Sequence, residues 1–111
     1  MGTLSYAYTD YELDDRLLTH LKVAITSKLR QKEGFLLSWV TPSDRGSGRI
    51  SLWMSPEIPV AYRFAGSKPP ELNRVWLDAL VRSAHGIRGM MAMSEADAIE
   101  YLAAAGASTA P

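Results

Sequence analysis

The chain has 111 residues and is 47% hydrophobic, enough to build one packed core and one domain. Twelve basic residues balance twelve acidic ones, so no global field draws the protein to nucleic acid or to a membrane surface. The absence of cysteine excludes disulfides, thiolate chemistry and cysteine-based zinc sites.

The N-terminal stretch MGTLSYAYTDYELDD lacks the basic and apolar regions of a signal peptide. No apolar run approaches the roughly 20 residues that span a bilayer. Tyr6 stands where an N-myristoylation signal needs Ser or Thr. Together these features predict a soluble cytoplasmic protein that does not engage membranes.

Leu4, Tyr6 and Tyr8 alternate with Thr3, Ser5 and Ala7, a period of two that predicts a strand. Thr9-Asp10 reads as a tight turn into a short second strand, Tyr11 to Leu13. Asp14 then occupies an N-cap position, with Asp15 facing the helix dipole. Leu17, Leu18, Leu21, Ala24, Ile25 and Leu29 recur at helical spacing and form one apolar stripe. Lys28, Arg30 and Lys32 suit the C-terminal end of that helix, and Gly34 reads as its C′ residue.

Phe35 to Val40, FLLSWV, is β-rich and mostly apolar, as a central strand is. Thr41 to Gly48 is a run of turn formers and predicts a mobile loop between antiparallel strands. Ile50, Leu52 and Met54 alternate with Ser51 and Trp53 in the next strand. Ser55-Pro56-Glu57 turns the chain. Val60, Tyr62 and Phe64 then alternate with Ala61 and Arg63 in a third strand of the same meander, with Pro59 at its start or on an edge.

Pro70 is suited to the first turn of a second helix, whose stripe is Leu72, Val75, Trp76, Ala79 and Leu80, ending near His85-Gly86. Met90 to Met93 reads as a short edge strand. Ser94 with Asp97 approximates a capping box for a last helix carrying Ile99 and Leu102. The reading is one compact domain over residues 1–105 and a disordered tail over 106–111. The order β-β-α-β-β-β-α-β-α predicts the α+β class, an antiparallel sheet with two main helices on one face. Ser38, Ser51, Trp53, Ala61 and Arg63 fall off the core register, which leaves the other face partly open.

Leu13-Asp14-Asp15-Arg16, His20-Leu21, Ser38-Trp39, Leu52-Trp53, Pro56, Ile58-Pro59, Arg63-Phe64, Gly66 and Leu72-Asn73-Arg74 with Trp76 form a recognisable string. It resembles a family of short actinobacterial proteins, without assigned activity, that often carry the label "ATP-dependent DNA ligase". The likeness runs from Met1 to about Met93, and the last helix looks like an addition. Ligases of that chemistry hold AMP on the lysine of a Lys-x-Asp-Gly motif. Lys22, Lys28, Lys32 and Lys68 are not followed by it, and the chain has no room for nucleotidyltransferase and OB domains. The resemblance therefore implies at most a DNA-associated accessory role, and no ligase activity from this chain alone.

Residues 45–88 hold seven cations (Arg45, Arg49, Arg63, Lys68, Arg74, Arg82, Arg88) against three acids (Glu57, Glu71, Asp78), a local net of +4. If Arg45, Arg49, Arg63, Lys68 and Arg74 gather near Trp53, they offer phosphate contact and base stacking. A solvated sheet edge with ordinary ion pairs is the plainer reading. Trp39 and Trp76 fit the core, whereas Trp53 points to the opposite face and is the best interface candidate.

Asp14-Asp15-Arg16 is read as a cap and dipole partner before it is read as a paired-carboxylate site. His85 beside Met90, Met91 and Met93 is read as a helix end and an edge strand before a soft-metal site. Neither histidine has a nucleophile or acid placed for a triad. Gly46-Ser47-Gly48 lacks the lysine and helix of a phosphate loop.

The expectation is a non-catalytic binding module with no cofactor and no metal. Arg45, Arg49, Trp53, Arg63, Lys68 and Arg74 are its candidate binding residues. A protein partner or a second copy would meet the open sheet face. A DNA-associated accessory protein is the first alternative, and a small enzyme is the second.

Overall fold

The structure is a computed structural model that describes residues 1–41 and 48–108. Its elements are β1 (Gly2–Tyr6), β2 (Thr9–Leu13), α1 (Asp15–Arg30), β3 (Phe35–Thr41), β4 (Gly48–Met54), β5 (Val60–Arg63), α2 (Arg74–Ser83), β6 (Met90–Met91) and α3 (Glu95–Ser108). The α+β class and the element order are those expected from the sequence. The strands form two small sheets, ordered β2-β1-β5 and β4-β3-β6. All pairs are antiparallel except β3 with β6, which is parallel.

The hairpin between β1 and β2 turns at Ala7-Tyr8 and not at Thr9-Asp10. Both turn residues have positive φ, 51° and 68°, as a type I′ turn requires. Pairing Tyr6 with Thr9 and Gly2 with Leu13 puts Leu4, Tyr6, Tyr11 and Leu13 on one face.

The meander expected from β3 through β5 stops at β4, because β5 crosses to the other sheet and pairs with β1. Tyr6 sits at the divide. Its hydroxyl donates to the Trp53 carbonyl at 2.7 Å and accepts from Ser55 N–H at 2.8 Å, closing the end of β4. Tyr11 of β2 meets Trp39 of β3 edge to face at 5.5 Å and joins the two sheets.

Helix ends follow short-range chemistry. Asp14 caps α1 by accepting from Leu17 N–H at 3.1 Å. Lys32, with φ of 59°, takes the left-handed position after α1 that Gly34 was expected to fill. Gly34 has another role: an added Cβ there would lie 2.8 Å from Trp53 Cζ2, so the glycine leaves room for the indole. Asn73 caps α2 with bonds from Val75 and Trp76 N–H, so Pro70 lies in the preceding loop and not in the first turn. Ser94 accepts from Asp97 N–H and starts α3. That helix reaches Ser108, three residues into the segment expected as a tail, whose remainder lies outside the described residues.

The core draws Leu4, Tyr6 and Leu13 from the first sheet and Phe35, Leu37, Trp39 and Met54 from the second. Leu18, Leu21, Ala24 and Ile25 of α1 close over them, with Trp76, Ala79 and Leu80 of α2. Gly89 has φ of 77°, and an added Cβ would collide with the Leu36 carbonyl, so only glycine lets β6 dock on β3.

One core hydroxyl is poorly served. The Tyr62 O–H is buried without a hydrogen-bond partner among the described residues. Burial pushes its pKa up to about 12, a shift that the proximity of Thr26 only partly offsets. Tyr62→Phe removes an unmet polar group and keeps the ring. Its melting temperature is expected to match or exceed that of the unmodified protein. A loss on the order of 1–3 kcal/mol would mean that the hydroxyl has a partner.

Candidate functional site

The helices and the first sheet use the inner face of β4-β3-β6 and leave its outer face bare. Period two assigns that face Leu36, Ser38 and Val40 from β3 and Arg49, Ser51 and Trp53 from β4. The register sets Leu36 opposite Trp53, Ser38 opposite Ser51 and Val40 opposite Arg49. Trp53 is 61% exposed and Val40 58%. The Ser38 and Ser51 hydroxyls bond at 2.8 Å in the middle of the face, and Ser38 reaches the Arg88 carbonyl. A shallow depression of about 680 Å³ runs across it, lined also by Arg88 and Met91 and, among the described residues, by no acidic one.

The six sequence-predicted binding residues do not gather into one patch. Arg49 and Trp53 share this face, four residues apart on one strand. Arg63 is exposed on β5, opposite Thr3 in the other sheet. Lys68 lies in the loop before α2, in a hollow with Lys22, Asp15 and Phe64. Arg74 opens α2, beside Leu72, Asp78 and Leu102. Arg45 lies outside the described residues. Arg88, Val40 and Met91 belong to the open face without having been singled out for it. The alternation through β3 was the available signal for Val40, but β6 is only two residues long and gives no periodicity.

The acidic and histidine motifs resolve into structure. Asp14 is the cap already described. Asp15 accepts from Ala65 N–H at 3.1 Å and ties α1 to the end of β5. Arg16 forms a two-pronged pair with Glu95, at 2.8 and 3.0 Å. The Asn73 side-chain amide donates to Glu95 at 2.6 Å. His20 is fully buried and stacked on Trp76 at 4.3 Å. Its Nε2 accepts from Asn73 N–H at 2.9 Å, so the proton sits on Nδ1 and is donated to the Arg16 carbonyl at 2.7 Å. Trp76 Nε1 donates to the Met93 carbonyl. Both ring nitrogens of His20 are thus engaged within the fold. His85 receives Lys28 Nζ, which also pairs with Glu33. Among the described residues, no three of His, Asp and Glu are grouped to hold a metal ion. No described helix is long and apolar enough to cross a membrane.

The class defined by fold and surface is an α+β domain with a polar tie among its helices and one uncovered sheet face. The family described as Domain of unknown function (DUF7882) matches residues 1–95, and the chain belongs to it. No curated protein and no solved structure matches the chain.

Hydrogen bonds from Arg16 and Asn73 hold the Glu95 carboxyl down at about 2, against an ordinary 4.5. The same pairing raises Arg16. A depressed carboxylate contributes stability above its unfolded value, lost as pH falls through the folded value. Acid denaturation should therefore steepen between about pH 4.5 and pH 2. Glu95→Gln is expected to flatten the melting temperature against pH in that window, and an unchanged acid limb would contradict this.

Proposed function

We propose that this domain is a non-catalytic binding module that meets a protein surface with the outer face of the β4-β3-β6 sheet. The exposure of Trp53 carries the reading. The indole lies against Gly34, where any side chain would displace it, so it presents a large rigid surface. Tryptophan and arginine dominate the energy of protein contacts, and Arg49 stands on the same face. Leu36, Val40 and Met91 supply apolar surroundings, and the Ser38–Ser51 pair supplies adaptable hydrogen bonding.

The test compares the proteins retained from a cell extract by unmodified domain, Trp53→Ser and Tyr8→Ser. Tyr8 is fully exposed at the hairpin turn, away from the face, and serves as the surface control. A specific protein held by the first and third but lost from the second is the expected outcome. Equal retention by Trp53→Ser overturns the reading.

A second reading, a DNA-associated accessory role, is favoured by one observation. Among the described residues, the depression on the face is lined by Arg49 and Arg88 and by no acid. Two cations on the same face as an exposed indole suit phosphate and base contacts. Fluorescence anisotropy with labelled single-stranded, duplex and nicked DNA tests it at low and moderate salt. Binding that weakens with salt and falls on Arg49→Glu supports this reading, and no binding at low salt removes it.

A further inference from the structure

The backbone of β4 has a definite phase. The Ser38 carbonyl accepts from Ala92 N–H at 2.9 Å, so Ser38 turns its polar backbone away from β4. Ser38 and Ser51 are therefore a non-hydrogen-bonded pair, which is why their side chains come close. Successive residues of a strand send their N–H and C=O to opposite edges. Ile50 and Leu52 thus bond to β3, while Arg49, Ser51 and Trp53 face outward.

β4 is the last strand of its sheet, so that outward edge meets no other strand. The Tyr6 hydroxyl takes one lone pair of the Trp53 carbonyl and the N–H of Ser55, which closes the edge beyond Trp53. Arg49 and Ser51 have no backbone partner on it among the described residues. An open edge along a seven-residue strand is a template for pairing.

We infer that a second copy of this chain occupies this edge, β4 against β4, antiparallel about a twofold axis at Ser51. The strand is self-complementary in that register. Arg49 falls opposite Trp53 of the second copy, and the reverse, so a cation faces an indole at each end. Ile50 falls opposite Leu52 on the inner face, covering two side chains that are only half-buried in one chain. Ser51 meets Ser51. All three outward residues then exchange N–H and C=O with the second copy, the Trp53 carbonyl through its second lone pair.

Other registers fit less well. An axis at Arg49 sets two guanidinium groups against each other. An axis at Ile50 carries Trp53 past the end of the facing strand. An axis at Leu52 sets Arg49 against Ser55, whose N–H Tyr6 already holds. The chosen pairing makes one continuous sheet with both Trp53 side chains on its outer face. It rests on the binding-module reading in using the same sheet, but it engages the edge and leaves the face free.

Sedimentation velocity over a concentration series tests the inference. The unmodified chain is expected to pass from monomer to dimer. Ser51→Pro removes an outward N–H, which an edge strand tolerates, and the exposed hydroxyl bonded to Ser38; it is expected to stay monomeric with an unchanged circular dichroism spectrum. A second measurement does not depend on proline. The chain has no cysteine, so Ile50→Cys and Leu52→Cys are unique thiols. The two variants mixed under mild oxidation are expected to cross-link faster than either alone, because the register sets residue 50 opposite residue 52. A monomer at every concentration overturns the edge pairing while leaving the face reading in place. A dimer that survives Ser51→Pro also overturns it, as does cross-linking no faster in the mixture than in the single variants.

Discussion

Glu95 receives Arg16 on one side and the Asn73 amide on the other, and through these bonds the three helices become one layer. The tie does not end at the ion pair. Asn73 caps α2 with its side chain and gives its backbone N–H to His20, whose ring stacks on Trp76. Arg16 lies over the same indole at 5.4 Å. An exposed ion pair alone contributes little. Here the pair is continuous with a cap, a buried imidazole and a buried indole, and a change at one member leaves several others unsatisfied.

This arrangement settles where the apolar surface can go. Two three-stranded sheets share one core under the helix layer. Tyr6 and the Tyr11–Trp39 contact hold the sheets together. All the covering elements are then spent on the inner side. The outer face of β4-β3-β6 remains in water with Trp53, Val40, Arg49 and Arg88, and β4 keeps a free edge. The candidate surface is thus a consequence of the packing and not an independent feature of it.

Local chemistry made most of the fold legible. Asp14, the α1 stripe, the alternation in β3 and β4, and the Ser94 cap each specify their element through neighbours a few positions away. Two of the misreadings depend on distant partners. The Ala7-Tyr8 turn is not one of them: a turn at Thr9-Asp10 would keep Leu4, Tyr6, Tyr11 and Leu13 on one face as well, so alternation alone does not place it. β5 leaves the meander because Tyr6 closes β4, and no spacing within residues 55–63 announces that. Gly34 read as a helix terminator but serves the Trp53 ring across the sheet. For the site, Trp53 and Arg49 were visible from their phase on β4. Counting charge along the chain grouped them with Arg63, Lys68 and Arg74, which the fold disperses to other surfaces.

The central claim is that the open side of β4 is the working surface and that its edge accepts a second copy. Residue-resolved amide hydrogen exchange, followed in dilute and in concentrated solution, addresses it most directly. Ile50 and Leu52, bonded to β3, are expected to exchange slowly under both conditions. Arg49 and Ser51 are expected to exchange fast when dilute and slowly when concentrated. Slow exchange of Arg49 and Ser51 in dilute solution, or fast exchange at every concentration, would contradict the account.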